Sequence, residues 1–293
     1  MPSRPKSSPP KARPLLGAHI STAGGVDKAV ERALSIGCTA AQIFVKNNMQ
    51  WFAGSPFAER EVSVFRETCG QLDAIFGHSG YMINLSAANP EFLEKSHRAL
   101  KEELQRADQL GLPFLVLHPG AHLGAGVDHG LEKVVASLDA VFAAIPDVRT
   151  KVALETTAGQ GSCLGCEFQH LAAIIGAVRE PARLCVCIDT AHLFAAGYDI
   201  STEAGTKKTF AEFDRLVGRE RLVALHLNDS KTGLGSRVDR HEHIGQGRIG
   251  LEAFRYIMKA PRFKNVPKVL ETPKGKEMKE DVENMATLLG LLK

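Results

Sequence analysis

Histidines and carboxylates recur at one kind of place in this sequence: at, or just after, the end of a short apolar run. His19, His78, His118, Glu155, Asp189, His226 and Glu271 all sit this way. Any one of them alone reads as a loop hydrogen-bonder or a helix cap. Gathered in one place they read differently, because several imidazoles and carboxylates are expensive to bury without a cation to neutralise and bond them. Mixed nitrogen and oxygen donors without thiolate suit zinc or manganese, whereas an all-oxygen set would suit magnesium. Such cations lower the pKa of a held water toward about 7, which is the chemistry of hydrolysis at neutral pH. Two local spacings add to the set. In the segment DTAH, 189–192, a strand gives way to a helix, so that Asp189 and His192 flank one place. In DRHEH, 239–243, alternate residues of an extended loop face one side, which would group Asp239, His241 and His243.

The elements that must position these residues follow a β-then-α rhythm. Apolar runs rich in Val, Ile, Leu, Ala and Phe recur at 15–20, 41–45, 72–77, 114–118, 152–155, 184–189, 223–228 and 268–271, each followed by helical patterning. Between the third and fourth runs, Asn89 is a cap, Pro90 suits a first turn and Gly111 a stop, with Leu93, Leu100, Leu104, Ala107 and Leu110 forming one apolar face. Runs without polar alternation mean strands covered on both faces, in either a closed barrel or an open doubly wound sheet. Eight of them favour the barrel. The expected fold class is therefore α/β, a single-domain (β/α)8 TIM barrel over 15–293, whose strand ends meet at the rim where such folds place their chemistry. Residues 1–14, rich in Pro, Ser, Lys and Arg, are expected to be a disordered basic tail.

Bulk properties exclude several classes. With 44% hydrophobic and 24% charged residues over 293 positions, the chain can bury a sizeable core. A formal charge of +3 tolerates an anionic partner but is no nucleic-acid footprint by itself. No apolar run approaches the roughly 20 residues needed to cross a bilayer, so no membrane partner is expected. Six cysteines with no secretory signal before them predict a reducing, cytoplasmic compartment rather than a disulfide scaffold.

Nine segments together are recognisable: GAHISTAGG (17–25), QIFVKN (42–47), HSGYMINL (78–85), LHPGAH (117–122), LETTAGQG (154–161), CIDTAH (187–192), LHLNDSK (225–231), DRHEHIG (239–245) and LETP (270–273). On these motifs, in this order, the chain resembles the endonuclease IV family of apurinic/apyrimidinic DNA repair enzymes over essentially everything after the tail. The resemblance implies three metal ions per chain, zinc in the first instance, with manganese as the alternative at one or more sites. His78, His118 and Glu155 would hold the first. Glu155 would bridge to the second, also held by Asp189, His226 and Glu271, while His192, Asp239 and His241 would hold the third. Glu155 and Glu271 are the implied catalytic carboxylates. His19 and His122 stay near the rim but outside the ligand set.

The resemblance also implies the substrate, duplex DNA containing abasic sites or blocked 3′ ends, and a place in base excision repair. Cleavage of the phosphodiester 5′ to an abasic deoxyribose would leave a 3′-hydroxyl and a 5′-deoxyribose phosphate, the enzyme acting as a monomer. Tyr81 and Met82 match positions that wedge into the duplex, Met82 replacing a usual leucine. Met49 stands where a relative carries a DNA-inserting arginine. Lys46, Asn47, Lys231 and Arg240 are the expected further DNA contacts, with Arg237 and Lys274 as additional rim cations. The alternative is a metal-dependent sugar isomerase or epimerase on the same barrel, which would not need a third ion. A damage-binding protein without catalysis would be expected to lack a ligand.

Other signals are set aside. GQGRIG, 245–250, matches dinucleotide-loop spacing but follows a histidine-rich loop instead of a strand, so it reads as a turn. Cys163 and Cys166 have CxxC spacing with no second pair to make a zinc finger. Cys185 and Cys187 read as small strand residues, and His97, His129 and His170 as surface histidines.

Overall fold

Each apolar run forms a strand in the computed structural model, which describes residues 13–293. The strands are β1 (Leu16–Ile20), β2 (Ala40–Phe44), β3 (Ala74–His78), β4 (Phe114–Leu117), β5 (Lys151–Glu155), β6 (Leu184–Asp189), β7 (Leu222–His226) and, last in the barrel, β10 (Lys268–Leu270). They close in the order β1-β10-β7-β6-β5-β4-β3-β2, every pairing parallel. Between β7 and β10 a two-stranded antiparallel ribbon, β8 (Asp229–Ser230) and β9 (His241–Glu242), stands apart from the barrel sheet. Of the expected tail, residues 1–12 lie outside the described part of the chain.

Two apolar layers hold this arrangement, and they explain the unalternating runs. Ala40, Phe76, Val116, Ala153, Cys185, Cys187, Ala224 and Val269 fill the barrel interior, with Phe76 stacked on Phe114 at 4.7 Å between centroids. The residues between them on each strand face outward into the layer shared with the helices. Cys185 and Cys187 are thus buried, small strand side chains, as read from the sequence. The helix Pro90–Leu110 bears out its capping signals: Asn89 Oδ1 accepts from Phe92 N at 3.0 Å, and Gly111 closes it with φ 77°. That left-handed turn suits glycine because no Cβ opposes it. Among the described residues no helix is long and apolar enough to cross a membrane.

Lys268 opens β10 at the barrel's N-terminal end and is 2% exposed. Its Nζ donates to the carbonyls of Phe263 (2.5 Å) and Val266 (2.8 Å), and burial pulls its pKa down to about 8. An unfolded chain holds that proton to near 10.5, so between those values the unfolded state carries more protons and stability rises with pH. The charged form consequently carries a penalty of roughly 3 kcal/mol below pH 8. In Lys268→Met the penalty is absent at every pH. Denaturant unfolding of both proteins is expected to show the free-energy difference between them change by roughly that amount from pH 7.5 to pH 10; a constant difference would contradict the assignment.

Candidate metal centre and nucleic-acid face

Barrel closure delivers His78, His118, Glu155, Asp189, His226 and Glu271 to one rim because each stands at, or one residue past, the C-terminal end of its strand. Glu155, buried without exposure at the end of β5, is the centre. His78 Nε2 and His118 Nε2 lie 3.2 and 2.9 Å from its Oε2. His226 Nδ1 and His192 Nδ1 lie 2.9 and 3.4 Å from its Oε1. Glu271 Oε2, at the far side, is 3.2 Å from His226 Nδ1.

Three groups of potential ligands lie close enough to hold ions: His78, His118 and Glu155; Glu155, Asp189, His226 and Glu271; and Asp189, His192 and His241. The first two are the sets expected from the sequence. The third shares His192 and His241 with the expected set, and Asp239 joins them, its Oδ2 3.2 Å from His192 Nε2 and its Oδ1 3.4 Å from His241 Nε2.

Hydrogen bonds to the far side of each ring decide which nitrogen faces inward. His78 Nδ1 donates to the Ser79 carbonyl (2.7 Å), His192 Nδ1 to Thr156 (2.7 Å) and His241 Nδ1 to Glu271 (3.1 Å). His78 therefore turns Nε2 toward Glu155, while His192 and His241 turn Nε2 toward Asp239. Nε2 of both His192 and His241 is buried without a hydrogen-bond partner among the described residues. Backbone acceptors behind and unpartnered nitrogens in front are the arrangement in which imidazoles ligate a metal. The donor set of imidazole and carboxylate fits borderline divalent ions such as zinc.

The electrostatics agree. Burial alone would raise Glu155, but His118 and His226 outweigh it and hold the carboxyl well below the ordinary range. Burial likewise loses to His226 and His19 at Glu271. For Asp239, His192 and His241 overcome burial to bring the pKa to about 2. Burial would depress His192, yet Asp189, Asp239 and Glu155 push it well up. The carboxylates are anionic at neutral pH and draw positive charge into the cluster.

Asp189 combines two roles. Its Oδ1 caps the helix Thr190–Ala196 by accepting from His192 N at 2.9 Å, while Oδ2 accepts from Asn228 Nδ2 at 2.6 Å and lies 3.6 Å from His241 Nε2. The cap fixes the DTAH turn that sets His192 beside it.

Two residues absent from the sequence-derived site complete it. Gln42 is fully buried on β2; its Nε2 donates to Glu271 Oε1 (2.6 Å) and His19 Nδ1 (2.7 Å), and its Oε1 accepts from His226 Nε2 (2.8 Å). It holds His226 with Nδ1 inward and fixes one oxygen of Glu271. Asn228, also fully buried, ties Asp189 to the Glu271 backbone N (2.8 Å). His19 stays out of the ligand groups, as expected. Burial pulls its pKa down to about 4, so it is neutral and accepts from Gln42.

Three sequence-based placements are corrected. His243 does not join Asp239 and His241: extended backbone ends at Glu242, the chain turns so that Gln246 N reaches the His243 carbonyl, and the His243 ring meets Asn284 at 3.1 Å. His122 Nδ1 accepts from Gly126 N at 3.2 Å, within its own loop. His170 is buried, accepting from Gly165 N. Lys46 is not free for a phosphate, since its 3%-exposed ammonium contacts Glu103 Oε1 (2.9 Å) and donates to the carbonyls of Asn47 and Gln50.

Most of the other expected DNA contacts are exposed. Tyr81 is 62% and Met49 68% exposed, so Tyr81 is no core aromatic. Met82 is half-buried beside it in a groove of about 790 Å³ that runs to His118. Asn47, Lys231 and Arg240 are exposed. Arg237 is exposed but contacts Cys166 Sγ at 3.2 Å, and Lys274 is paired with buried Asp281 at 2.7 Å. Cys163 and Cys166 are both free thiols.

Fold and site define a barrel with candidate metal-binding residues at its rim, and a family model described as a xylose isomerase-like TIM barrel matches residues 30–288. Within that class the chain belongs to the endonuclease IV family. A probable endonuclease 4 of Geobacter sulfurreducens is 48% identical over 280 residues, 95% of this chain and 94% of that one. The crystal structure of endonuclease IV from Thermus thermophilus matches with a TM-score of 0.83 at 36% identity, over 95% of this chain and 99% of that one. A D-tagatose 3-epimerase-like protein, TM-score 0.69 at 17% identity over 94% and 97%, shares the fold alone. The isomerase alternative shares the barrel at much lower sequence identity and is less supported.

Proposed function

We propose that this chain is a DNA repair endonuclease that incises duplex DNA at abasic sites, cutting the phosphodiester 5′ to the missing base, and also trims blocked 3′ ends. The observation that carries this reading is Glu155, shared by two ligand groups with a third beside them, together with full-length similarity to proteins named endonuclease 4. Three divalent ions, zinc by the donor set, would supply the positive charge that makes water nucleophilic near pH 7 and offsets charge on the phosphate. His78, His118 and Glu155 would hold the first ion, Glu155, Asp189, His226 and Glu271 the second, and His192, Asp239 and His241 the third.

The chain's own groups then do the rest. Glu271, with Oε1 fixed by Gln42, orients the attacking water and takes its proton as the water oxygen bonds to phosphorus. The bond from phosphorus to the upstream 3′ oxygen breaks, and that oxygen leaves as a 3′-hydroxyl once it gains a proton. The other product carries the 5′-deoxyribose phosphate. Damage is recognised without a base to read, through the ease of bending an unstacked site, with exposed Tyr81, Met82 and Met49 as wedges and Asn47, Lys231 and Arg240 on the backbone. A monomer suffices, since every residue in this scheme comes from one chain.

The deciding experiment incubates purified protein with an abasic duplex, the same duplex intact, and a panel of ketoses and aldoses, each with and without a chelator. Chelator-sensitive incision of the abasic strand alone is expected. Sugar isomerisation, or incision indifferent to exhaustive chelation, would overturn the reading.

A further inference from the structure

The glycine-rich segment 245–250 has the spacing of a phosphate loop, yet the anion it cradles belongs to the chain itself. Asp229, fully buried on β8, accepts four backbone N–H groups: Oδ1 from Ser230 (2.8 Å) and Ile249 (2.9 Å), Oδ2 from Gly245 (2.9 Å) and Gly247 (3.1 Å). A Cβ on residue 247 would collide with Asp229 Oδ1 and the Ser230 carbonyl, so glycine there lets the loop close on the carboxylate. The same β8 pairs with β9, Asp229 opposite Glu242 and Ser230 opposite His241. Lys231 N reaches the Arg240 carbonyl (2.9 Å) and Arg248 N the Ser230 carbonyl (2.7 Å). Residues 240–249 are thus fastened to Asp229 and its neighbours on both the outgoing and the returning limb. Asp239 and His241 project from the outgoing limb toward His192.

We infer that Asp229 is the positioning residue for the third ion: its carboxylate, gripped by the glycine loop, sets the ribbon that aims Asp239 and His241 at His192. The inference rests on the three-ion reading above. Selectivity follows from the topology, because the first two ligand groups stand on barrel strands and the turns directly after them, and none belongs to this loop.

Two variants test it. Asp229→Asn places an amide N–H₂ against backbone donors, and Gly247→Ala forces the loop off the carboxylate. Zinc per chain is measured across a zinc-buffered titration, alongside thermal melting. Wild type is expected to hold three ions. Both variants are expected to keep two at wild-type affinity and bind the third about 10- to 100-fold more weakly, excess zinc restoring it. Wild-type affinity for all three ions in the variants overturns the inference, as does loss of all three together with the folded transition. A wild type that holds only two ions overturns the three-ion reading and this inference with it, and is recognised because the wild-type arm itself departs.

Discussion

In Glu155→Gln, incision of an abasic duplex is expected to fall by at least about 10³-fold. Four imidazoles face its two oxygens, and two ligand groups share it. An amide keeps the volume but removes the charge and one acceptor, leaving both groups short of their common anion. Metal content should drop by up to two ions per chain, against at most one for Glu271→Gln, which belongs to a single group. Folding is less affected, because the apolar layers on either side of the sheet do not include Glu155. Incision rates, metal analysis and melting curves measured on the same preparations check all three points. Cleavage within tenfold of wild type would remove Glu155 from the centre of the chemistry.

The second large effect concerns Glu103. Its carboxylate, on the helix Pro90–Leu110, reaches both loops that carry the proposed wedges: Oε1 meets Lys46, and Oε2 accepts from Gly80 N at 2.8 Å. Tyr81 N donates to the Asn48 carbonyl, joining the loops directly. Burial raises the Glu103 carboxyl despite Lys46 and Gly80, so the pair stands in a poorly solvated place. Removing one partner of a buried pair costs about 3–5 kcal/mol, while replacing both with apolar groups costs far less. Glu103→Leu is therefore expected to be much less stable than the double variant with Lys46→Met. The chain's single tryptophan, Trp51, follows directly on the Lys46 loop, its ring 4.9 Å from Phe92 in a T-shaped contact. In Glu103→Gln its fluorescence should become more accessible to quencher and DNA affinity should weaken, with metal content unchanged. Unaltered quenching would show that the loops hold their place without the pair.

The eight strands were legible because hydrophobic runs without alternation have one physical meaning, burial on both faces. Six of the candidate metal ligands, His78, His118, Glu155, Asp189, His226 and Glu271, followed from the same fact, since a polar residue ending such a run has only the rim to occupy. Gln42 escaped because an amide inside a run reads as an interruption, although a buried amide within a strand must find partners and a barrel interior offers them only at the rim. His243 was misplaced by extending a period of two through a loop whose extended part is two residues long. Lys46 was misread because its partner comes from a helix far along the chain, a pairing that no local pattern records. The carboxylate that the glycine motif holds is visible only in three dimensions.

β1 is completed as a closed wall only by β10, and the cluster draws on strands from β3 to the turn after β10. The candidate ligands are spread from His78 to Glu271, so no single βα unit possesses a full ligand group. Ion capture is thus tied to non-local parallel pairing, the slow kind of step in folding. Refolding followed by a zinc-sensitive dye would time that assembly, and nicking activity is expected to emerge no earlier.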